Sequence, residues 1–227
     1  MPPLFEVSDI HFGYPERNSV LNGVSFSLNP GERLAITGSN GAGKSTLLQI
    51  LVGLLKPLSG AVTAFGQTCI TESDFRDVRR RTGYVFQDPD DQLFCPTVAE
   101  DVAFGPLNLG KTPDEALAIV DSVLERLKLS DFRDRITHKL SGGEKRLVSL
   151  AAVLAMEPEV LLFDEPTNAL DEETAERLVV MLNELPQAMI VVSHDGHFRR
   201  KITNRALHME HGVLVEPHSR CVHVVKR

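Results

Sequence analysis

The run Gly38-Ser39-Asn40-Gly41-Ala42-Gly43-Lys44-Ser45-Thr46 constrains the fold more than any other part of the sequence. It fits G-x-x-x-x-G-K-[ST], a pattern that carries meaning only between a strand and a helix. Both flanks agree with it: Leu34-Ala35-Ile36 reads as a buried strand, and Leu47-Leu48-Gln49-Ile50-Leu51-Val52 as a helix. Glycines let backbone N–H groups crowd around a polyphosphate, and the helix start adds partial positive charge. In such a loop Lys44 reaches the terminal phosphates and the Ser45 hydroxyl is placed to ligate Mg2+. The chain therefore reads as an α/β protein that binds phosphate.

The 227 residues suffice for one large domain or two small ones, with a sizeable core. A net charge of -7 argues against a nucleic-acid binder held by bulk electrostatics and against direct adsorption to anionic lipid. No apolar run reaches the length of a membrane span, and residues 1–6 lack the basic and apolar regions of a signal peptide. The expectation is a cytoplasmic protein whose membrane role, if it has one, comes through a partner. Cys69, Cys95 and Cys221 are odd in number and widely spaced, so neither a disulfide framework nor a CxxC metal site is indicated.

Strands are predicted at Phe5–Val7, in the alternating run Val24-Ser25-Phe26-Ser27-Leu28, and at residues 61–66, giving an antiparallel element beside the glycine loop. A short charged helix is expected over 74–81 and a strand over 82–86. Thr97-Val98-Ala99-Glu100, Thr112-Pro113-Asp114-Glu115 and Ser141-Gly142-Gly143-Glu144 are three capping boxes, each opening a helix. Gly105-Pro106 reads as the stop of the first. Residues 88–158 thus form a helical block inserted into the core. Buried strands follow at 160–163 and 189–192, with a helix from Asp171 to Glu184 between them and a hairpin around His211-Gly212 at the end.

Val160-Leu161-Leu162-Phe163-Asp164-Glu165 is an apolar strand ending in two acids. Beside a phosphate loop, Asp164 suits a Mg2+ ligand, and Glu165 suits a carboxylate that orients or deprotonates the attacking water. Leu140-Ser141-Gly142-Gly143-Glu144 is a second phosphate binder in kind. A capping box needs no paired glycines, which weaken a helix start.

In this order the motifs resemble those of an ABC-type ATPase, the nucleotide-binding subunit of an ATP-binding-cassette system, over about residues 4–215. The 38–46 run resembles its Walker A loop, Gln87 its Q-loop glutamine, 140–144 its signature and 160–165 its Walker B strand with the catalytic glutamate. Asn168-Ala169-Leu170-Asp171 resembles the D-loop, His194 the switch histidine, and Tyr14 in Phe12-Gly13-Tyr14-Pro15 the aromatic that stacks on adenine. The resemblance implies one nucleotide-binding domain over 1–227. Its core is of the P-loop NTPase type, a mostly parallel sheet with flanking helices, joined by an antiparallel β subdomain and the helical insert. It also implies ATP and Mg2+ as ligands, with Lys44, Gln87, Glu165 and His194 catalytic and Ser45, Gln87 and Asp164 at the metal. Such domains pair head to tail, so Ser141, Gly142, Gly143 and Asp171 would serve a nucleotide held by the other copy, identical or paralogous.

The run from Asp88-Pro89-Asp90-Asp91-Gln92-Leu93-Phe94 to Pro106 resembles the ATPases of energy-coupling-factor importers, which take up cobalt, nickel or vitamins. There it abuts the coupling helices of an integral membrane component, and a separate membrane component binds the substrate. Gln92, Leu93 and Phe94 are expected at the surface. A C-terminal region shorter than in many vitamin-type relatives favours the metal-ion branch. Rival readings are another ABC transporter ATPase, a non-transport ABC ATPase, and a regulatory or assembly module. The His208, His211, His218, Cys221 and His223 cluster matches no firm ligand spacing.

Overall fold

The computed structural model describes residues 2–15, 17–168 and 170–216. In chain order come β1 (Phe5–Tyr14), β2 (Arg17–Leu28), β3 (Arg33–Gly38), α1 (Lys44–Leu51), β4 (Ser59–Ala64), β5 (Gln67–Cys69), α2 (Glu72–Arg81) and β6 (Thr82–Val85). Helices α3 (Val98–Asn108), α4 (Pro113–Arg126) and α5 (Gly142–Leu154) follow with no strand among them. The chain then returns through β7 (Val160–Asp164), α6 (Glu172–Asn183), β8 (Ala188–Val192), α7 (Gly196–Ile202), β9 (Arg205–Glu210) and β10 (Val213–Val215).

Two sheets result. An antiparallel one runs β2-β1-β4-β5, and a six-stranded one runs β10-β9-β3-β8-β7-β6, parallel except for the terminal β9–β10 hairpin. Every residue of β7 and β8 is buried, as befits unbroken apolar runs at the centre of a parallel sheet. Alternation then divides them. Leu161 and Phe163 face a core shared with α3, α4, α5 and α6; Val160 and Leu162 face one shared with α1 and the antiparallel sheet. Register sets Ile36 beside Val192 and Val192 beside Asp164, so the carboxyl ends of β3, β8 and β7 form one row. In open α/β sheets that edge is where ligands bind.

The three expected capping boxes are all formed, and Thr71 with Asp74 makes a fourth at α2. The expected stop at Gly105-Pro106 is not one. Helix α3 continues through Pro106 to Asn108 and ends before Gly110, whose φ is +90°. Gly105 serves packing instead: a Cβ there would lie 2.5 Å from Met156 Cγ. Strand β4 ends at Ala64 rather than Gly66, because Phe65 (φ +51°) and Gly66 (φ +82°) are the two-residue loop of a hairpin with β5. Neither β5 nor α7 is evident from the sequence pattern.

Gly83 in β6 lies under α5, and a Cβ at that position would come within 2.2 Å of Val153 Cγ1 and 2.9 Å of Leu161 Cδ2. Gly83→Ala is expected to lower unfolding stability by about 1–3 kcal/mol through overpacking. Urea denaturation checks it, and an unchanged midpoint would show that α5 yields at no cost.

Candidate active site

The loop after β3 is shaped by what it cannot carry. Gly38, Gly41 and Gly43 all have positive φ, at 144°, 73° and 104°. A Cβ on Gly38 would lie 2.6 Å from the Met209 carbonyl, and one on Gly43 would lie 2.8 Å from Leu21 Cδ2. Gly43 is also the N-cap of α1, so no side chain caps that helix and its first turn contains no acid. Helices α2, α3, α4 and α5 are closed by capping boxes. The start of α1 keeps its N–H groups for an anion.

Lys44 is only 6% exposed. Its Nζ donates to the Gly38 and Ser39 carbonyls, each at 2.9 Å, and lies 3.3 Å from His194 Nε2. Burial pulls the ammonium pKa down, against the opposing charges of Glu165 and Asp164. Thr46 Oγ1 lies 3.2 Å from the Tyr14 hydroxyl, and the Tyr14 ring stands edge-on to Phe12 at the half-exposed mouth of the site.

Two carboxylates face this loop, one buried and one partly buried. Asp164 at the end of β7 is 4% exposed, and burial pushes its carboxyl pKa up although the nearby hydroxyls of Ser45 and Tyr84 act against that shift. The Tyr84 hydroxyl donates to Oδ2 at 3.3 Å, while Oδ1 has no donor. Glu165 takes a left-handed backbone, φ +48°, a region uncommon for residues with a side chain. Its Oε2 accepts the His194 N–H at 3.0 Å. His194 Nε2 lies 3.2 Å from Oε1 but off a hydrogen-bond direction, which leaves that oxygen buried without a donor. Gln87 completes the wall of a cleft of about 660 Å3 that also holds Asn40, Gly41, Ser45 and Thr46. Ala42 packs against the core beneath it.

Sequence reasoning missed Tyr84, the partner of Asp164, and Val20, Thr167 and Asp195 in the cleft wall. None belongs to a motif, and only the fold brings them there. Ser141, Gly142, Gly143 and Asp171 stand away from the cleft. Ser141 caps α5, its hydroxyl accepting from the Glu144 N–H and its own N–H donating to Glu144 at 2.8 Å. Asp171 caps α6 through the Thr174 N–H at 2.8 Å. Gly142 has open space around it, and a Cβ on Gly143 would lie 3.2 Å from Thr174.

The expectation that Gln92, Leu93 and Phe94 all face outward needs correction. Leu93 is 7% exposed and belongs to the core, and the Gln92 amide bridges the Phe86 N–H and the Tyr84 carbonyl, each at 3.2 Å. Phe94 does project, 64% exposed, and meets Phe104 edge to face at 4.7 Å. Beside them an apolar groove of about 450 Å3 runs between α3 and α4. Among the described residues no group of three or more His, Cys, Asp or Glu side chains is disposed to hold a metal ion, and no helix is long and apolar enough to cross a membrane. His208 bonds Thr37 Oγ1 at 2.9 Å and the Asn22 amide donates to the His211 carbonyl, whereas His218, Cys221, His223 and Ala169 lie outside the described residues.

A glycine loop leaving a parallel strand, set against two acids at the end of a nearby strand, is the arrangement of a P-loop nucleotide hydrolase. The sequence matches the ABC transporter family over residues 21–168. A protein of Brucella suis biovar 1 (strain 1330), provisionally named an ABC transporter ATP-binding protein, is 54% identical over 215 residues, 95% of this chain and 89% of its own length. The energy-coupling factor transporter ATP-binding protein EcfA of Methanothermobacter thermautotrophicus is 43% identical over 216 residues, 93% of this chain and 70% of its own length. The solved structure of cbiO1 from Clostridium perfringens, part of the ABC transporter complex cbiONQ, superposes with a TM-score of 0.84 at 36% identity, over 95% of this chain and 88% of that one. The ATP-binding cassette MJ0796, a dimer in a post-hydrolysis state bound to ADP and Pi, gives 0.83 at 28% identity, over 92% of this chain and 96% of that one. The chain belongs to the ABC transporter family and is an ABC ATPase, the ATP-binding and ATP-hydrolysing subunit of a transporter.

Burial makes Asp164 a test of how far the site is prepared for a cation. A carboxyl with a raised pKa holds its proton more tightly folded than unfolded, so stability falls as pH rises from the ordinary aspartate value of 3.8 through the raised one. Without nucleotide, Asp164→Asn is expected to raise the urea midpoint at neutral pH, by a margin that shrinks as pH approaches 4. The reverse order at neutral pH would contradict the assignment.

Proposed function

We propose that this chain is one ABC nucleotide-binding domain, with the 88–158 block as its helical subdomain, and that it energises an importer of the energy-coupling-factor type on the cytoplasmic face of a membrane. The observation that carries this is the exposed Phe94–Phe104 pair beside an apolar groove, on the segment that leaves Gln87. Groove walls such as Ala99, Ala103, Leu107 and Leu117 suit a helix of an integral membrane coupling component. The likeness to EcfA, and to cbiO1 of the cbiONQ complex, supports the same reading. Uptake of cobalt or nickel, bound by a further membrane component, is the substrate reading it favours.

Within the site, Lys44 and the uncapped start of α1 bind the phosphates of ATP, and Tyr14 stacks on the adenine. Asp164 Oδ1 is buried without a donor near the Ser45 hydroxyl, and with Gln87 this makes an all-oxygen donor set, which suits Mg2+. Ser45, Asp164 and Gln87 would hold that ion, whose charge neutralises the phosphates. Glu165, its backbone fixed by the bond to the Val192 carbonyl at 2.8 Å, orients the attacking water and takes up its proton. His194 leaves Lys44 to contact the terminal phosphate. Ser141, Gly142, Gly143 and Asp171 are spent on no nucleotide of their own chain. They act on one held by a second copy, identical or paralogous.

Glu165→Gln is expected to retain ATP-driven pairing while kcat falls by about 10^2–10^4-fold. Sedimentation and a phosphate-release assay read the two effects, and hydrolysis at the unmutated rate removes Glu165 from the mechanism. In cells, the same variant should abolish cobalt or nickel accumulation.

Leu117→Asp places a charge in the apolar groove. A folded variant is expected to lose co-purification with the membrane component, and undiminished co-purification would move the docking surface elsewhere.

A further inference from the structure

Arg146 lies one turn inside α5 and is 4% exposed. It sits in the row of buried residues that includes Leu147, Val148 and Leu150, where an apolar side chain would fill the space without burying a charge. Its guanidinium spans two carbonyls. Nη1 donates to Phe86 O and Nη2 to Gln87 O, both at 2.6 Å, and Nε has no partner. Strand β6 has ended at Val85, so Arg146 supplies the acceptors of residues 86 and 87 with donors that no neighbouring strand provides. The residue before it adds a second tie, from Lys145 Nζ to Asp90 Oδ1 at 2.5 Å. Burial lowers the guanidinium pKa, and Asp88 and Asp164 act against that shift.

Two consecutive cations of α5 therefore hold the segment that begins at Gln87, whose side chain lines the cleft. A lysine would hold one carbonyl as a point charge, whereas a planar fork fixes two and their orientation. This same end of the helix starts at Ser141, about one turn before Arg146 and away from the chain's own cleft.

We propose that Arg146 is a positioning residue that locks Gln87 to α5, so that the start of that helix moves whenever Gln87 responds to the nucleotide in its own cleft. This rests on the assignment of Gln87 to the nucleotide site given above. Because the helix start at Ser141 is read there as facing a second copy's nucleotide, the tie links the two ATP sites of a pair through one side chain.

Hydrogen exchange on the unmutated full chain, dilute enough that sedimentation shows single copies, tests this with ATP and Mg2+ added. Amides of 38–46 should slow, and those of 141–147, which touch no nucleotide in a single copy, should slow with the same ATP midpoint by about threefold, a coupling the size of one net hydrogen bond. In Arg146→Lys the first effect should persist and the second vanish. Slowing at 38–46 with no change at 141–147 in the unmutated chain overturns the inference, as does an Arg146→Lys chain that transmits undiminished. If 38–46 does not respond at all, the nucleotide site itself is wrong and the inference falls with it. The first measurement needs no variant, so the proposal stays testable even if Arg146→Lys does not fold.

Discussion

A helix start without a cap needs an acceptor from outside the helix, and the first turn of α1 is built around that need. The N-cap is a glycine in a left-handed conformation, packed so closely against Leu21 and Val20 that no side chain fits. Its free N–H groups and the buried Lys44 ammonium make a site prepared for negative charge. Everything near it follows from that bias. The loop must leave the middle of the sheet, where β9 and β8 flank β3. The acids at the end of β7 share the cleft with that lysine, and their charge acts against the loss of its proton.

The polar groups of the cleft are poorly matched to one another. Asp164 Oδ1 and Glu165 Oε1 are buried without donors, Glu165 has a left-handed backbone, and the Lys44 ammonium turns back on the carbonyls of its own loop. Each of these departs from what folding alone would favour. A site whose polar groups are already oriented needs little reorganisation when a phosphate group arrives. The β7 and β8 strands that carry the site are buried in apolar cores on both faces.

Features with local causes were legible in the sequence. Thr97, Thr112 and Ser141 cap their helices with a glutamate three residues on, and the loop glycines announce their conformations. Tertiary causes were not legible. Gly105 looks like a helix stop but exists to admit Met156, and Leu93 differs from Phe94 only in which way the turn faces. Helix α7 buries only Phe198 and Ile202 among basic residues, too few for a period to show. The pairing of Tyr84 with Asp164 joins two strands far apart in sequence and follows no motif. Ser141 and Asp171 stand away from the cleft as the N-caps of α5 and α6, a placement no local pattern announces.

The division of β7 between two cores has a consequence for how such a protein can vary. Leu161 and Phe163 are wedged against the helical block, Val160 and Leu162 against α1 and the antiparallel sheet, and Asp164 ends the same strand. A change of volume on either face bears on the carboxylate at its end, so the two layers are coupled through one strand. The groove between α3 and α4 is mixed: its Ala99, Ala103 and Ala116 belong to the same core as Leu161 and Phe163, whereas its Leu107 and Leu117 are exposed. Substitutions at such exposed positions can therefore resurface the helical block alone, while a change of volume in β7 is felt by both cores at once.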